Sequence, residues 1–156
     1  MRMLDVHSHM STREGYLLQE PEKIKALSEY YKQELTFSTE EEMYQEFKKA
    51  DVKVIISPPL KTTGLSLEWL VGVHDYTARL IRAHPDVYEN AWILCDPRLR
   101  QEGLDELDRC VKELGMLGPY FFPPLYGIPY NDKLYYPYYD YASQAGIPVL
   151  LLVGLT

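Results

Sequence analysis

Short apolar runs and longer amphipathic stretches alternate along the chain. Met3 to His7 reads as a first strand. Pro21 to Leu35 reads as a helix, with Ile24, Leu27, Tyr31 and Leu35 on one stripe and Pro21 in its first turn. Thr39 to Ala50 is a second helix: Thr39 and Glu42 form a capping-box pair, and Met43, Phe47 and Ala50 face inward. Val52 to Ile56 is the second strand, stopped by Pro58 and Pro59. Leu67 to Ala83 is a helix with Leu70, His74, Ala78 and Ile81 along one side, and Val87 to Cys95 is the third strand. Leu104, Leu107, Val111 and Leu114 mark the next helix, closed by Gly115. Met116 to Phe122 is the fourth strand. Pro137 to Ala145 is a short helix ending at Gly146, and Ile147 to Val153 is the fifth strand.

Strands alternating with helices predict parallel βαβ units. Near-continuous apolar strands fit a sheet covered on both faces. Two α/β architectures satisfy this: an open doubly wound sheet, or part of a (β/α)8 barrel. No glycine-rich turn follows the first strand, where an open nucleotide-binding sheet places its phosphate loop. Histidines stand there instead, at the strand end where a barrel collects its catalytic residues.

Those histidines are the main chemical signal. Asp5, His7 and His9 share parity on a strand, so their side chains point to one face. Two imidazoles at this spacing suit one divalent ion, such as zinc, nickel, iron or manganese. The alternative is a pair of solvated polar residues at an exposed strand end. Asp5, deeper on the same face, is placed to orient a ligand or its hydrogen bond, or else to be a carboxylate satisfied by backbone donors. Arg13, in the following loop, is a candidate clamp for a substrate carboxylate, or else a solvated surface arginine. His74 reads as a core histidine with one hydrogen bond, His84 as a favourable residue at a helix C-terminus, and Asp96-Pro97-Arg98 as a turn. Tyr126, Tyr130, Tyr135, Tyr136, Tyr138, Tyr139 and Tyr141 crowd the final helix. They imply packing against another chain, or rim packing around an Asn131-Asp132 turn.

Composition narrows the partners. A net charge of -7 without a Lys/Arg cluster argues against a nucleic-acid surface. The most apolar run, Ile147 to Leu155, is too short to span a bilayer, and the first residues carry no apolar run that would mark a leader. Cys95 and Cys110 read as buried, reduced thiols. The expectation is one cytoplasmic domain over residues 1–156 with no nucleic-acid or membrane partner.

Several passages together resemble a known family. They are the opening Asp5-x-His7-x-His9, Ala83-His84-Pro85-Asp86 followed by Trp92 to Pro97, Glu106 to Gly118, Leu134 to Gly146, and Ile147-Pro148-Val149. In their order and spacing the chain resembles the amidohydrolase-related family of the amidohydrolase superfamily, the branch containing aminocarboxymuconate-semialdehyde decarboxylase and related aromatic-acid decarboxylases and hydrolases. The resemblance implies a distorted (β/α)8 barrel with one divalent metal at the strand C-termini. His7 and His9 carry over as two of its ligands. Zinc is the expected ion, with manganese or iron as alternatives, and it would polarise a substrate oxygen or activate water.

Two departures stand out. Leu152 occupies the place of a fifth-strand metal-binding histidine, and strand four offers Tyr120, Phe121 and Phe122 in place of lysine or histidine. A full barrel needs about 250 residues, so the 156 residues present match an N-terminal five-strand portion. Its open flank calls for cover by a complementing C-terminal half-barrel or by a homo-oligomer. The function implied is a metal-dependent hydrolase or decarboxylase (a carbon-carbon lyase) acting on a small carboxylated cyclic or aromatic compound. The rivals are a non-catalytic binding or assembly subunit and a metal-dependent phosphoesterase. The latter needs further histidines soon after the first pair, and residues 10–73 contain none.

Overall fold

The computed structural model describes residues 3–10, 12–16, 21–58, 65–123 and 127–153. Of the residues singled out above, Pro59, Tyr126 and Leu155, and the side chains of Pro21 and Leu27, lie outside this set. Five strands are present: β1 (Met3–His9), β2 (Val52–Ser57), β3 (Tyr88–Leu94), β4 (Gly118–Phe121) and β5 (Leu150–Leu151). Each pairs in parallel with the next, in the order β1-β2-β3-β4-β5. The described helices are α1 (Arg13–Tyr16), α2 (Pro21–Tyr31), α3 (Glu40–Lys49), α4 (Leu67–Ala83), α5 (Arg100–Lys112) and α6 (Tyr136–Ala145). Sequential parallel pairing through helical crossovers curls the sheet one way, into a half-barrel. Of the two architectures left open by the sequence, this is the barrel.

Local chemistry sets the element ends. Thr39 caps α3 through the expected box, its hydroxyl accepting from the Glu42 amide while the Glu42 carboxylate accepts from the Thr39 amide. α2 stops at Tyr31, short of Leu35, because Lys32 turns into the left-handed region at φ 53°. Gly146 ends α6 at φ 66°. The fifth strand is shorter than expected: only Leu150 and Leu151 pair, with Tyr120 and Phe121 of the short β4. The Leu152 amide still reaches the Phe121 carbonyl at 3.1 Å. α1, a four-residue turn of helix after the histidines, had no periodic signal to predict it.

Alternation divides the core in two. Val54, Ile56, Ala91, Ile93, Cys95 and Phe121 point outward and are covered by helices, with Leu80 and Val87, Leu107 and Cys110, and Tyr135 and Tyr138 packed among them. Ile55, Trp92, Leu94 and Tyr120 have the opposite parity and form the inner face, extended by Leu70, Leu99, Leu150 and Leu152. Trp92 shows the curl directly. Its indole N–H crosses β2 to donate to the Val6 carbonyl of β1 at 2.8 Å. The outer edges are less covered, with Met3, Leu4 and Val6 of β1 and Leu151 and Val153 at β5 exposed. No described helix is long and apolar enough to cross a membrane.

The β4–β5 approach is close. A Cβ at Gly118 would overlap the Pro148 carbonyl oxygen, a backbone atom that cannot swing aside. Gly118→Ala is therefore expected to cost about 1–3 kcal/mol through overpacking, read as a lowered thermal midpoint. An unchanged midpoint would show that the two strands separate freely.

Candidate metal centre

β1 continues through His9, so both histidines lie on the strand itself. Their rings meet edge to face, with centroids 4.8 Å apart and planes at 86°. The two Nε2 atoms are 3.1 Å apart. Two nitrogens each bound at about 2.0–2.1 Å to one ion, side by side in its shell, lie roughly 3 Å apart. The pair therefore fits a shared divalent ion in both donor type and spacing.

The pairing of β1 with β2 is irregular at this point. Asp5 aligns with Val54 and Ser8 with Ile56, so β1 holds one more residue than its partner between these pairs. Such a bulge re-aims side chains and is over-represented beside active sites. It also separates Asp5 from the shared-face pattern that simple alternation predicts. The Asp5 carboxylate is exposed and accepts the backbone amide of His7 at 3.0 Å. The His7 ring instead meets Ser57, whose Oγ lies 3.1 Å from Nδ1. Ser57 is fully buried at the end of β2 and had not been singled out from the sequence. Its one prior signal is position: it is the last strand residue before Pro58, at the parity of inner-face Ile55.

Tyr120 stands on the other side of His7, ring centroids 5.8 Å apart and planes at 79°. It is fully buried, and its hydroxyl has no hydrogen-bond partner among the described residues. Burial pushes its phenol up, so it stays a neutral donor. Leu152 packs on the same inner cluster and adds only apolar surface. Arg13 opens α1 with an exposed side chain. Its amide donates to the Ser38 carbonyl at 2.8 Å, and its charge acts on Glu42 of α3.

A second group of metal-capable atoms lies deep between α4 and α5. His74, Glu106 and Cys110 bring three donor atoms within 4.8 Å of one another. The Glu106 carboxylate, however, is already held by Arg109, Nε to Oε2 at 2.7 Å and Nη2 to Oε1 at 2.8 Å. His74 Nδ1 lies 2.7 Å from Oε1, and its Nε2 donates to the Leu94 carbonyl at 3.1 Å. His74 is thus a core histidine, as expected, with two contacts instead of one. Burial pushes the Cys110 thiol up, and Glu106 adds to this. A guanidinium occupies the cation's role here, so the cluster is a structural ion pair. Both cysteines are buried and neither forms a disulfide, as the sequence implies. His84 caps α4 and stacks on Tyr44 at 4.0 Å, and Asp96 caps the turn that follows β3. The tyrosines of α6 turn inward, Tyr135 and Tyr138 being buried against Phe121, while Tyr136 is exposed.

Comparison with known proteins agrees with this architecture. No protein-family model matches the chain. A 2-keto-4-carboxy-3-hexenedioate hydratase of Sphingobium sp. is 23% identical over 108 residues, 64% of this chain and 31% of that protein. Among solved structures, 4-oxalomesaconate hydratase from Rhodopseudomonas palustris superposes with a TM-score of 0.69 at 18% identity, over 97% of this chain and 52% of its own. A dihydroxybenzoic acid decarboxylase from a Polaromonas species, with bound manganese and the inhibitor 2-nitroresorcinol, gives 0.71 at 15% identity, over 100% and 51%. The chain thus spans about a third of the curated relative and half of each solved structure. With five parallel strands curled in sequence and its histidines on the first of them, the chain has the α/β half-barrel fold that makes up about half of each of these solved structures.

Proposed function

We propose that this chain forms part of a metal-dependent lyase, decarboxylating or hydrating a small carboxylated cyclic or aromatic compound. The convergence of the His7 and His9 Nε2 atoms at 3.1 Å carries the reading. The solved structures of similar fold support it, since they include decarboxylases and a hydratase, one with bound manganese. His7 and His9 would hold the ion, with manganese preferred on this ground to the zinc expected from sequence. When bound, a divalent ion supplies Lewis acidity toward a substrate oxygen. The chain's own residues do the rest: the Asp5 carboxylate fixes the His7 backbone, the apolar inner face of Trp92, Leu94 and Leu152 excludes water, and the Tyr120 hydroxyl is free to donate to a substrate oxygen. Arg13 is a candidate for the substrate's carboxylate, at the start of α1 just after the histidines.

The exposed apolar residues of β1 and β5 support a partner for this half-barrel, a complementing half or a second copy. Two imidazoles fill half of a tetrahedral shell or less, so metal binding by this chain alone is expected to be weak and to tighten when the barrel is completed. The test is titration of the purified chain with Mn²⁺, followed by electron paramagnetic resonance of the free ion. The wild type should bind, and a His7→Ala/His9→Ala variant should lose binding altogether. Equal binding by the two would overturn the reading.

A further inference from the structure

The second strand contributes to the histidine pair through one atom. Ser57 Oγ lies 3.1 Å from His7 Nδ1, on a side chain with no solvent exposure. The opposite ring nitrogen, Nε2, is the one that meets His9. An imidazole that gives its Nε2 lone pair to a cation keeps its ring hydrogen on Nδ1. That hydrogen then needs an acceptor, and the side of the half-buried ring that carries Nδ1 faces the fully buried Ser57 hydroxyl. A serine hydroxyl accepts as readily as it donates. It can therefore serve the ring whether Nε2 hydrogen-bonds to His9 or faces an ion.

We propose that Ser57 is a positioning residue for the metal centre, accepting the Nδ1 hydrogen of His7 and so holding Nε2 aimed at a divalent cation shared with His9. This rests on the metal-binding reading above. The register explains why β2 can do this: Ser57 pairs with His9 across the β1–β2 ladder, and the extra residue in β1 swings the His7 ring over it. Asp5, the residue in which the sequence suggested this role, is engaged by the His7 backbone. The division of labour is therefore a carboxylate for the main chain and a hydroxyl for the ring.

The test uses the whole chain with two ions. Loss of such a hydrogen-bonding partner typically weakens metal binding roughly 10–100-fold. Ser57→Ala is expected to weaken Mn²⁺ binding by that factor, and Ser57→Thr to restore it. The second readout is the proton spectrum of the Zn²⁺-loaded protein. The wild type and Ser57→Thr should show a slowly exchanging His7 Nδ1 proton that is absent from Ser57→Ala. If the alanine variant does not fold, Ser57→Thr and Ser57→Val decide the same question, being matched in shape and differing in the hydroxyl. Wild-type binding with an unchanged affinity and an unchanged Nδ1 proton in the hydroxyl-free variant would overturn the role of Ser57 and leave the metal centre standing. No binding of either ion by the wild type would overturn both.

Discussion

Replacing Glu106 by alanine is expected to lower the free energy of unfolding by about 3–5 kcal/mol, the usual cost of removing one partner from a buried ion pair. That is a large part of the about 5–15 kcal/mol that holds a typical domain together. Two helices meet at this carboxylate. α5 holds it, Arg109 one turn on grips it with two nitrogens, and His74 of α4 meets it at 2.7 Å. Arg109 also reaches Asp75 of α4 at 2.9 Å. Removing Glu106 takes the acceptor from Arg109 Nε and Nη2 and from the buried Cys110 thiol, and the contact from His74 Nδ1. The check is a denaturant titration, in which the midpoint should fall with little change in slope. A midpoint within experimental error of the wild type would show that the pair contributes no net stability.

The same group sets an acid limit. Burial pushes Glu106 up, but the Arg109 hydrogen bonds and the His74 contact outweigh it and hold the carboxyl at about 2, below its ordinary 4.5. The unfolded chain therefore binds the proton first. The stabilisation is complete above about pH 4.5 and fades as the pH falls toward 2. Glu106→Gln should lack this part of the acid destabilisation, so the stability difference between wild type and variant should shrink as the pH falls from about 4.5 toward 2.

Phe121→Ala is expected to cost a further about 3–5 kcal/mol as an independent change. Phe121 has no exposed surface and sits inside a ring of tyrosines. Tyr135, Tyr138 and Tyr139 meet it edge to face at 5.0, 5.5 and 5.9 Å. Truncation removes the ring they pack on and leaves a cavity between β4 and α6. Phe121→Leu should restore much of the loss, since it returns volume without the aromatic geometry. Thermal unfolding measures the cost. Near-ultraviolet circular dichroism of the tyrosines shows whether α6 has loosened, and a retained tyrosine signal with an unchanged midpoint would rule out this packing.

Phe121 also marks how far the sequence could be read. Apolar runs located all five strands, and the periodicity of Leu70, His74, Ala78 and Ile81 located α4, because burial on one face leaves a local imprint. The capping pair at Thr39 was legible for the same reason. The tyrosine cluster was visible as composition, but its inward direction depends on a strand outside the helix. The metal centre divided in the same way. His7 and His9 declared themselves by spacing, whereas the β1 bulge exists only relative to β2, and Ser57 meets His7 across 50 residues of chain. Alternation within a strand predicts faces, and pairing between strands decides which atoms meet.

The bond from Trp92 to the Val6 carbonyl has an optical consequence. The chain has two tryptophans, Trp92 and Trp69, and both belong to the inner-face cluster. The 14 tyrosines include those gathered on the opposite side of the sheet, around Phe121. Excitation at the red edge of the absorption band therefore interrogates the concave side alone. The indole tethered to β1 is a built-in reporter of the strand that carries His7 and His9.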